Sequence, residues 1–292
     1  MLRLGLIGYP LGHSLSPVIH ESAMQTLGLA GEYRLYPVPP LPEGYRDLES
    51  LLQRVTKGEL RGLNVTIPHK QAVLRWMNNL SPAARDTGAV NTIYAVDGNL
   101  VGENTDINGF QHDFRAHLPG NTYSGRALVL GAGGSARAVV YALLTLGWQV
   151  TVAARRVSQA ELLVADMTFA TMQVDAIELS AARLRDTLNH TQEADAIGLI
   201  VNTTPAGMAP NVEASPWPEE VPFPKETFVY DLVYNPSETR LVSAARQAGL
   251  EACNGLGMLV EQAALSFECW TGVSAPRQTM VEAAIQYQEM RK

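Results

Sequence analysis

Apolar and polar positions along this chain fall into two alternating series. In the first, short apolar runs at 4–7, 33–36, 63–67 and 90–96 read as strands. Amphipathic stretches at 17–27, 45–56 and 70–78 lie between them and read as helices. The proline-rich stretch 37–42 reads as a loop, because proline cannot donate to a sheet ladder. The second series starts with an apolar run at 127–130, then a glycine-rich turn, a helical stretch at 137–146 and a strand at 149–153. Further strands are expected at 198–202 and 227–232, and this second series ends near 250–253. Strands alternating with helices predict an α/β fold with mostly parallel sheets. Two amphipathic stretches, 258–270 and 276–291, follow as helices that are expected to return to the first domain and leave a cleft between the two. The expected division is 1–105 plus about 258–292 for one domain and about 106–257 for a Rossmann-type second one. The polar, turn-rich stretch 121–125 is a boundary candidate ahead of the second series.

The turn itself reads Gly131-Ala132-Gly133-Gly134-Ser135-Ala136. Strand, tight glycine turn, helix and second strand form the opening of a dinucleotide-binding βαβ unit. Gly131 allows the sharp turn, Gly133 lets backbone approach a pyrophosphate, and Ala136 permits close helix–strand packing. The helix start offers N–H groups and a positive dipole end to the phosphates. After the second strand the chain reads Ala153-Ala154-Arg155-Arg156-Val157, with no acidic residue before Glu161. An NAD site usually carries Asp or Glu there, whereas two guanidinium groups suit a 2′-phosphate. The pattern therefore points to NADP, the alternative being arginines that merely open a solvated helix.

Composition sets the bounds. The 292 residues are 46% hydrophobic and 17% charged, with a net charge of −7, as expected of a compact soluble protein of two domains. No basic cluster is present, which argues against nucleic acid or an anionic membrane as a partner. The apolar start, 1–8, is interrupted by Arg3 and stopped at Pro10, and reads as a buried strand rather than a signal or spanning segment. The two cysteines, Cys253 and Cys269, lack metal-ligand spacing and read as core thiols of a reducing cytoplasm. No metal site is expected.

In the first series the polar residues of interest fall at strand ends, where ligands of α/β sheets bind. Ser14 and Ser16 stand just before a helix, a setting that suits a carboxylate, although Ser16 could equally be the N-cap with Pro17 at the first helical position. Strand alternation places Asn64 and Thr66 on one face, with Lys70 just beyond Pro68. Asn91 and Thr92 belong to the next strand, and Asn104-Thr105-Asp106 opens a helix that Asp106 could cap. His13, His20 and His69 show no triad or ligand spacing and read as structural.

Together these segments resemble the shikimate dehydrogenase family almost end to end. The motifs are S-L-S-P from Ser14, N-V-T-x-P-x-K from Asn64, G-A-V-N-T from Gly88 and N-T-D-x-x-G from Asn104. G-A-G-G from Gly131, N-T-T-P-x-G-M from Asn202, D-L-V-Y from Asp231 and G-L-G-M-L-V-x-Q from Gly255 complete the set. The resemblance implies a cytoplasmic oxidoreductase, monomer or homodimer, that reversibly reduces 3-dehydroshikimate to shikimate with NADPH in aromatic amino-acid biosynthesis. It implies Lys70 and Asp106 as the catalytic pair, and Ser14, Ser16, Asn64, Thr66, Asn91, Tyr234 and Gln262 as substrate ligands. It places Gly131, Ala132, Gly133, Gly134, Ser135, Ala154, Arg155, Arg156, Thr203, Leu232, Gly255 and Met258 along the cofactor. Where the family commonly carries N-R-T, this chain has Ala154-Arg155-Arg156, so one amide and one hydroxyl give way to a second guanidinium. A quinate- or aminoshikimate-type dehydrogenase on the same scaffold is the nearest alternative.

Overall fold

A computed structural model of the chain describes residues 1–12, 14–117, 125–167, 174–189 and 196–290. His13 and most of the 121–125 boundary candidate lie outside the described residues. The chain divides into two compact units, Met1–Asp113 with Gly257–Lys292, and Phe114–Leu256.

The first unit holds a six-stranded sheet. Its strands are β1 (Leu2–Gly8), β2 (Gly31–Pro37), β3 (Gly62–Val65), β4 (Asn79–Leu80), β5 (Thr92–Val96) and β6 (Asn99–Glu103), in the order β2-β1-β3-β5-β6-β4. Its helices are α1 (Ser16–Thr26), α2 (Tyr45–Thr56), α3 (Pro82–Thr87) and the start of α4 (Asp106–His117). Ile7, Leu48, Leu52, Leu63, Val73 and Ile93 form its apolar core. The expectation of parallel pairing holds for β1 with β2 and β3, but β3–β5 and β5–β6 are antiparallel. For β5–β6 the cause is local: Asp97 and Gly98 both take positive φ (50° and 77°), the conformation of a tight hairpin turn. The helix expected at 70–78 is only a 3₁₀ turn over Ala72–Trp76. There the Lys70 carbonyl accepts the Val90 N–H at 2.8 Å instead of an intrahelical one, so an α-helix cannot propagate through it.

The second unit is an all-parallel sheet of β7 (Arg126–Leu130), β8 (Gln149–Ala154), β9 (Val174–Glu178), β10 (Ile197–Asn202), β11 (Phe228–Asp231) and β12 (Ala252–Asn254). The order β12-β11-β10-β7-β8-β9 reverses direction between β10 and β7, the arrangement of a dinucleotide-binding Rossmann sheet. Helices α5 (Gly134–Thr145), α6 (Val157–Asp166), α7 (Ala181–Asn189) and α8 (Arg240–Gln247) connect the strands. Leu128, Leu130, Leu184, Ile200, Val229 and Leu241 form its core.

Helices α9 (Leu256–Thr271) and α10 (Arg277–Glu289) complete the first unit, with α10 against α1. Trp270 of α9 is fully buried against the sheet, where its indole Nε1 donates to the Ile93 carbonyl at 3.1 Å. Gly62 leaves room for it: a Cβ there would overlap the indole ring. Cys253 is buried, but Cys269 is exposed on α9 rather than a core thiol, because α9 turns its neighbour Trp270 inward. Among the described residues no helix is long and apolar enough to cross a membrane.

Candidate active site

In the first unit, strand ends and two helices bring polar side chains into one connected network. Lys70, just past β3, donates from Nζ to Asp106 Oδ2 at 2.5 Å, and both side chains are largely buried (12% and 5% exposed). The other carboxylate oxygen of Asp106 accepts Asn91 Nδ2 at 2.8 Å. Asn91 cannot be turned the other way, because its Oδ1 accepts the Thr105 N–H at 2.8 Å. Asp106 is thus held at both oxygens before any ligand arrives. Gln262 of α9 reaches the same amide, accepting from Asn91 Nδ2 at 3.3 Å. Close helix packing makes that reach possible: a Cβ on Gly109 would lie 2.8 Å from the Gln262 backbone nitrogen. Asp106 is the first residue of α4, not its cap, and its N–H donates to Asn104 Oδ1 at 3.2 Å.

Behind this layer lies a second one. Asn64 Nδ2 donates to the Asn91 carbonyl at 3.2 Å, to Thr92 Oγ1 at 3.2 Å and to Ser266 Oγ at 2.9 Å. Its Oδ1 accepts the Tyr33 hydroxyl at 2.8 Å. Ser266 also meets Thr92 Oγ1 at 2.7 Å and Thr105 Oγ1 at 3.1 Å. Tyr33 and Ser266 were not expected from the sequence; the available signal was a serine four residues after Gln262 on the buried face of an apolar helix. His20 is also fully buried, its ring stacked on Tyr33 with centroids 4.4 Å apart, and neither ring nitrogen has a hydrogen-bond partner among the described residues. Burial holds its pKa down at about 3. The His69 Nε2 lies 2.8 Å from the Val38 carbonyl, a structural role.

Ser14, Ser16 and Thr66 lie in the same unit but outside that network. Ser16 is the first residue of α1, with Leu15 as its cap, so the N-cap alternative for Ser16 does not hold. The Ser16 N–H donates to Ser14 Oγ at 3.2 Å, while the Ser16 and Thr66 hydroxyls have no partner among the described residues. Tyr234 belongs to the second unit, beyond the end of β11. Among the described residues no group of His, Cys, Asp and Glu is placed to hold a metal.

The glycine turn of the second unit follows β7. Gly131 has φ +112°, and a Cβ on it would strike Thr203 Oγ1 at 2.5 Å, so only glycine fits. Gly133 caps α5 without a side chain, and a Cβ there would meet nothing within 4 Å. That open space at a helix N-terminus, flanked by Ala132, Gly134 and Ser135, fits a pyrophosphate. Ala136 is fully buried against the sheet. Past β8, Arg155 and Arg156 are exposed, with no ion pair or side-chain hydrogen bond among the described residues. The β8–β9 register sets Glu178 beside Ala154, an acidic neighbour that separation along the chain concealed. Gly255 backs onto Leu232, whose carbonyl oxygen would overlap a Cβ, and Met258 is buried in the first turn of α9.

Residues 6–93 match the model of the shikimate dehydrogenase substrate binding domain, and residues 255–285 that of the shikimate 5′-dehydrogenase C-terminal domain. A curated relative from Symbiobacterium thermophilum, named shikimate dehydrogenase (NADP(+)), is 41% identical over 284 residues, 97% of this chain and 93% of the relative. The crystal structure of shikimate 5-dehydrogenase from Thermus thermophilus, in complex with NADP(H) and shikimate, is similar with a TM-score of 0.82. The identity is 38%, covering 98% of this chain and 99% of that one. Quinate dehydrogenase from Corynebacterium glutamicum in complex with NAD aligns with a TM-score of 0.84 and 33% identity, over 98% and 99% of the two chains.

Proposed function

The chain belongs to the shikimate dehydrogenase family, and from that premise we propose that it reversibly reduces 3-dehydroshikimate to shikimate with NADPH, on the route to the aromatic amino acids. The observation that carries this reading is the buried Lys70–Asp106 pair, clamped from behind by Asn91. When bound, NADPH supplies the hydride. The residues present fit it, with open space at Gly133 for the pyrophosphate and two exposed guanidinium groups, Arg155 and Arg156, for the 2′-phosphate.

Lys70 stabilises the negative charge that grows on the carbonyl oxygen and hands that oxygen a proton from Nζ. Asp106 fixes the ammonium in place and accepts the substrate hydroxyl. Ser14 and Ser16 hold the substrate carboxylate at the start of α1. Asn64, Thr66, Asn91, Tyr234 and Gln262 meet the ring or the carboxylate, and Asn64 also braces Asn91 through its backbone carbonyl. The net charge of −7 suits a cytoplasmic enzyme of small molecules, working as a monomer or homodimer rather than on nucleic acid.

The test is the near-UV absorbance of purified protein mixed with shikimate and NADP⁺, beside cuvettes holding NAD⁺ or quinate. Rapid reduction with shikimate and NADP⁺ is the expected result. Turnover mainly with quinate or NAD⁺ would overturn the substrate or the cofactor, and no turnover in any cuvette would overturn the reaction.

A further inference from the structure

The D-L-V-Y motif begins with Asp231, which the proposed reaction does not use. Asp231 ends β11 and is fully buried. Its Oδ1 accepts Asn202 Nδ2 at 2.8 Å and the Val233 N–H at 3.0 Å, and its Oδ2 accepts the Thr239 hydroxyl at 2.6 Å. Thr239 is the cap of α8, its hydroxyl oxygen accepting the Val242 N–H at 3.3 Å. One carboxylate therefore ties together the ends of β10 and β11 and the start of α8.

The Asn202 arm leads on to the glycine turn. Asn202, also fully buried, accepts the Thr204 N–H at 2.9 Å and the Thr204 hydroxyl at 2.7 Å on its Oδ1. Its backbone carbonyl accepts the Leu232 N–H at 2.9 Å. Between the two, Thr203 turns back and donates from both its N–H (2.9 Å) and its hydroxyl (2.7 Å) to the Leu130 carbonyl. Leu130 immediately precedes Gly131, whose Cα is packed against Thr203 Oγ1 closely enough to exclude a side chain. The turn that approaches the pyrophosphate thus rests on a segment whose orientation Asn202 sets and Asp231 anchors.

We propose that Asp231 is a positioning residue for the dinucleotide: its carboxylate, acting through Asn202, holds the Thr203–Thr204 segment under the Gly131 turn and so maintains cofactor affinity. This rests on the NADP reading of the second unit. The groups facing Asp231 from β10, α8 and the following loop are Asn202, Thr239 and a backbone N–H, all neutral. Burial accordingly raises its pKa to about 6 against the pull of those three hydrogen bonds. The folded chain holds that proton more tightly than the unfolded one, so protonation near pH 6 neutralises Asp231 without unfolding the protein on its account. Neutral Asp231 and Asp231→Asn then present the same defect.

The experiment measures NADP⁺ binding to the full chain by calorimetry at about pH 7.5 and about pH 5.5, either side of the Asp231 titration, with thermal melting as the check on folding. Asp231→Asn and Asn202→Ala are expected to weaken binding roughly tenfold at the higher pH, the scale of losing one hydrogen bond to a charged group. Thr239→Ser, which keeps the hydroxyl, should bind as the wild type does, and Thr239→Val should fall between. The advantage of the wild type over Asp231→Asn should shrink at the lower pH; the titration of the 2′-phosphate itself cancels in that ratio. Wild-type affinity in folded Asp231→Asn, or an advantage unchanged with pH, would overturn the inference. Because the readout is binding, a wild type that binds NADP⁺ without oxidising shikimate would overturn the proposed reaction instead.

Discussion

The two candidate sites, one in each unit, are built on opposite principles. Around Lys70 and Asp106 the first unit is crowded with side chains that satisfy one another: Asn91 clamps Asp106, and Asn64, Thr92, Thr105 and Ser266 form the layer behind. Around Gly131 and Gly133 the second unit offers bare backbone and, at Gly133, empty space. The first region is pre-organised by groups that are present and is damaged by taking atoms away. The second is pre-organised by groups that are missing and is damaged by adding them.

The sharpest break in that contrast comes from deleting Lys70. Lys70→Ala is expected to lower kcat by roughly 10²–10⁴, the usual worth of a proton donor at the reacting oxygen. Steady-state kinetics with shikimate and NADP⁺ decide it, and an unchanged kcat would remove Lys70 from the chemistry. Next in size is the double change Arg155→Ala with Arg156→Ala. A charge-assisted contact is worth about 1.5–3 kcal/mol, and for two exposed groups the low end applies, so the KM for NADPH should rise about a hundredfold, while that for NADH barely moves. Equal effects on the two cofactors would show that these arginines do not read the 2′-phosphate.

The reverse operation, adding atoms, is made by Gly133→Ala. A Cβ there meets nothing, so the melting temperature should hold. NADP⁺ affinity should fall by about tenfold or more, since the new side chain fills the space kept for phosphate. A loss of stability instead would mean that the space is structural. The smallest effect concerns His20. Its folded pKa of about 3 lies below the unfolded value of 6.5, so the unfolded chain binds more protons between those limits. Its contribution to stability is complete above pH 6.5 and is lost as pH falls toward 3, at about 1.4 kcal/mol per pH unit. Denaturant titrations at about pH 7 and about pH 5.5 should therefore show a smaller acid loss in His20→Phe, by about 1.4 kcal/mol. Identical acid losses would mean that His20 is not held neutral.

Backbone-built features were the more legible in the sequence, and for a physical reason. A glycine required by a positive φ or by close approach leaves a mark at its own position, so Gly131 and Gly133 could be read directly, with the strands on either side. Side-chain networks leave no such mark. Asn64 meets Tyr33 and Ser266 only through tertiary folding, across 31 and 202 positions of chain, and neither partner carries a local signature. The 3₁₀ turn in place of a helix at 70–78 has the same origin, since the Lys70 carbonyl is claimed by the distant Val90, and no local pattern announces that bond. The Asp97-Gly98 hairpin, by contrast, carried a turn dipeptide that the expectation of mostly parallel strands passed over, and it sets β6 antiparallel to β5.

Trp270 sets a timetable. Its slot over Gly62, and the Ser266 hydroxyl one turn before it, come from residues that leave the ribosome only after the whole Phe114–Leu256 unit has been made. At about 5–20 residues per second, a nascent chain holds both Lys70 and Asp106 for roughly 8–33 s before the helix that completes their surroundings exists. Until translation reaches α9, the strands beside Gly62 and Ile93 lack the Trp270 indole that buries them.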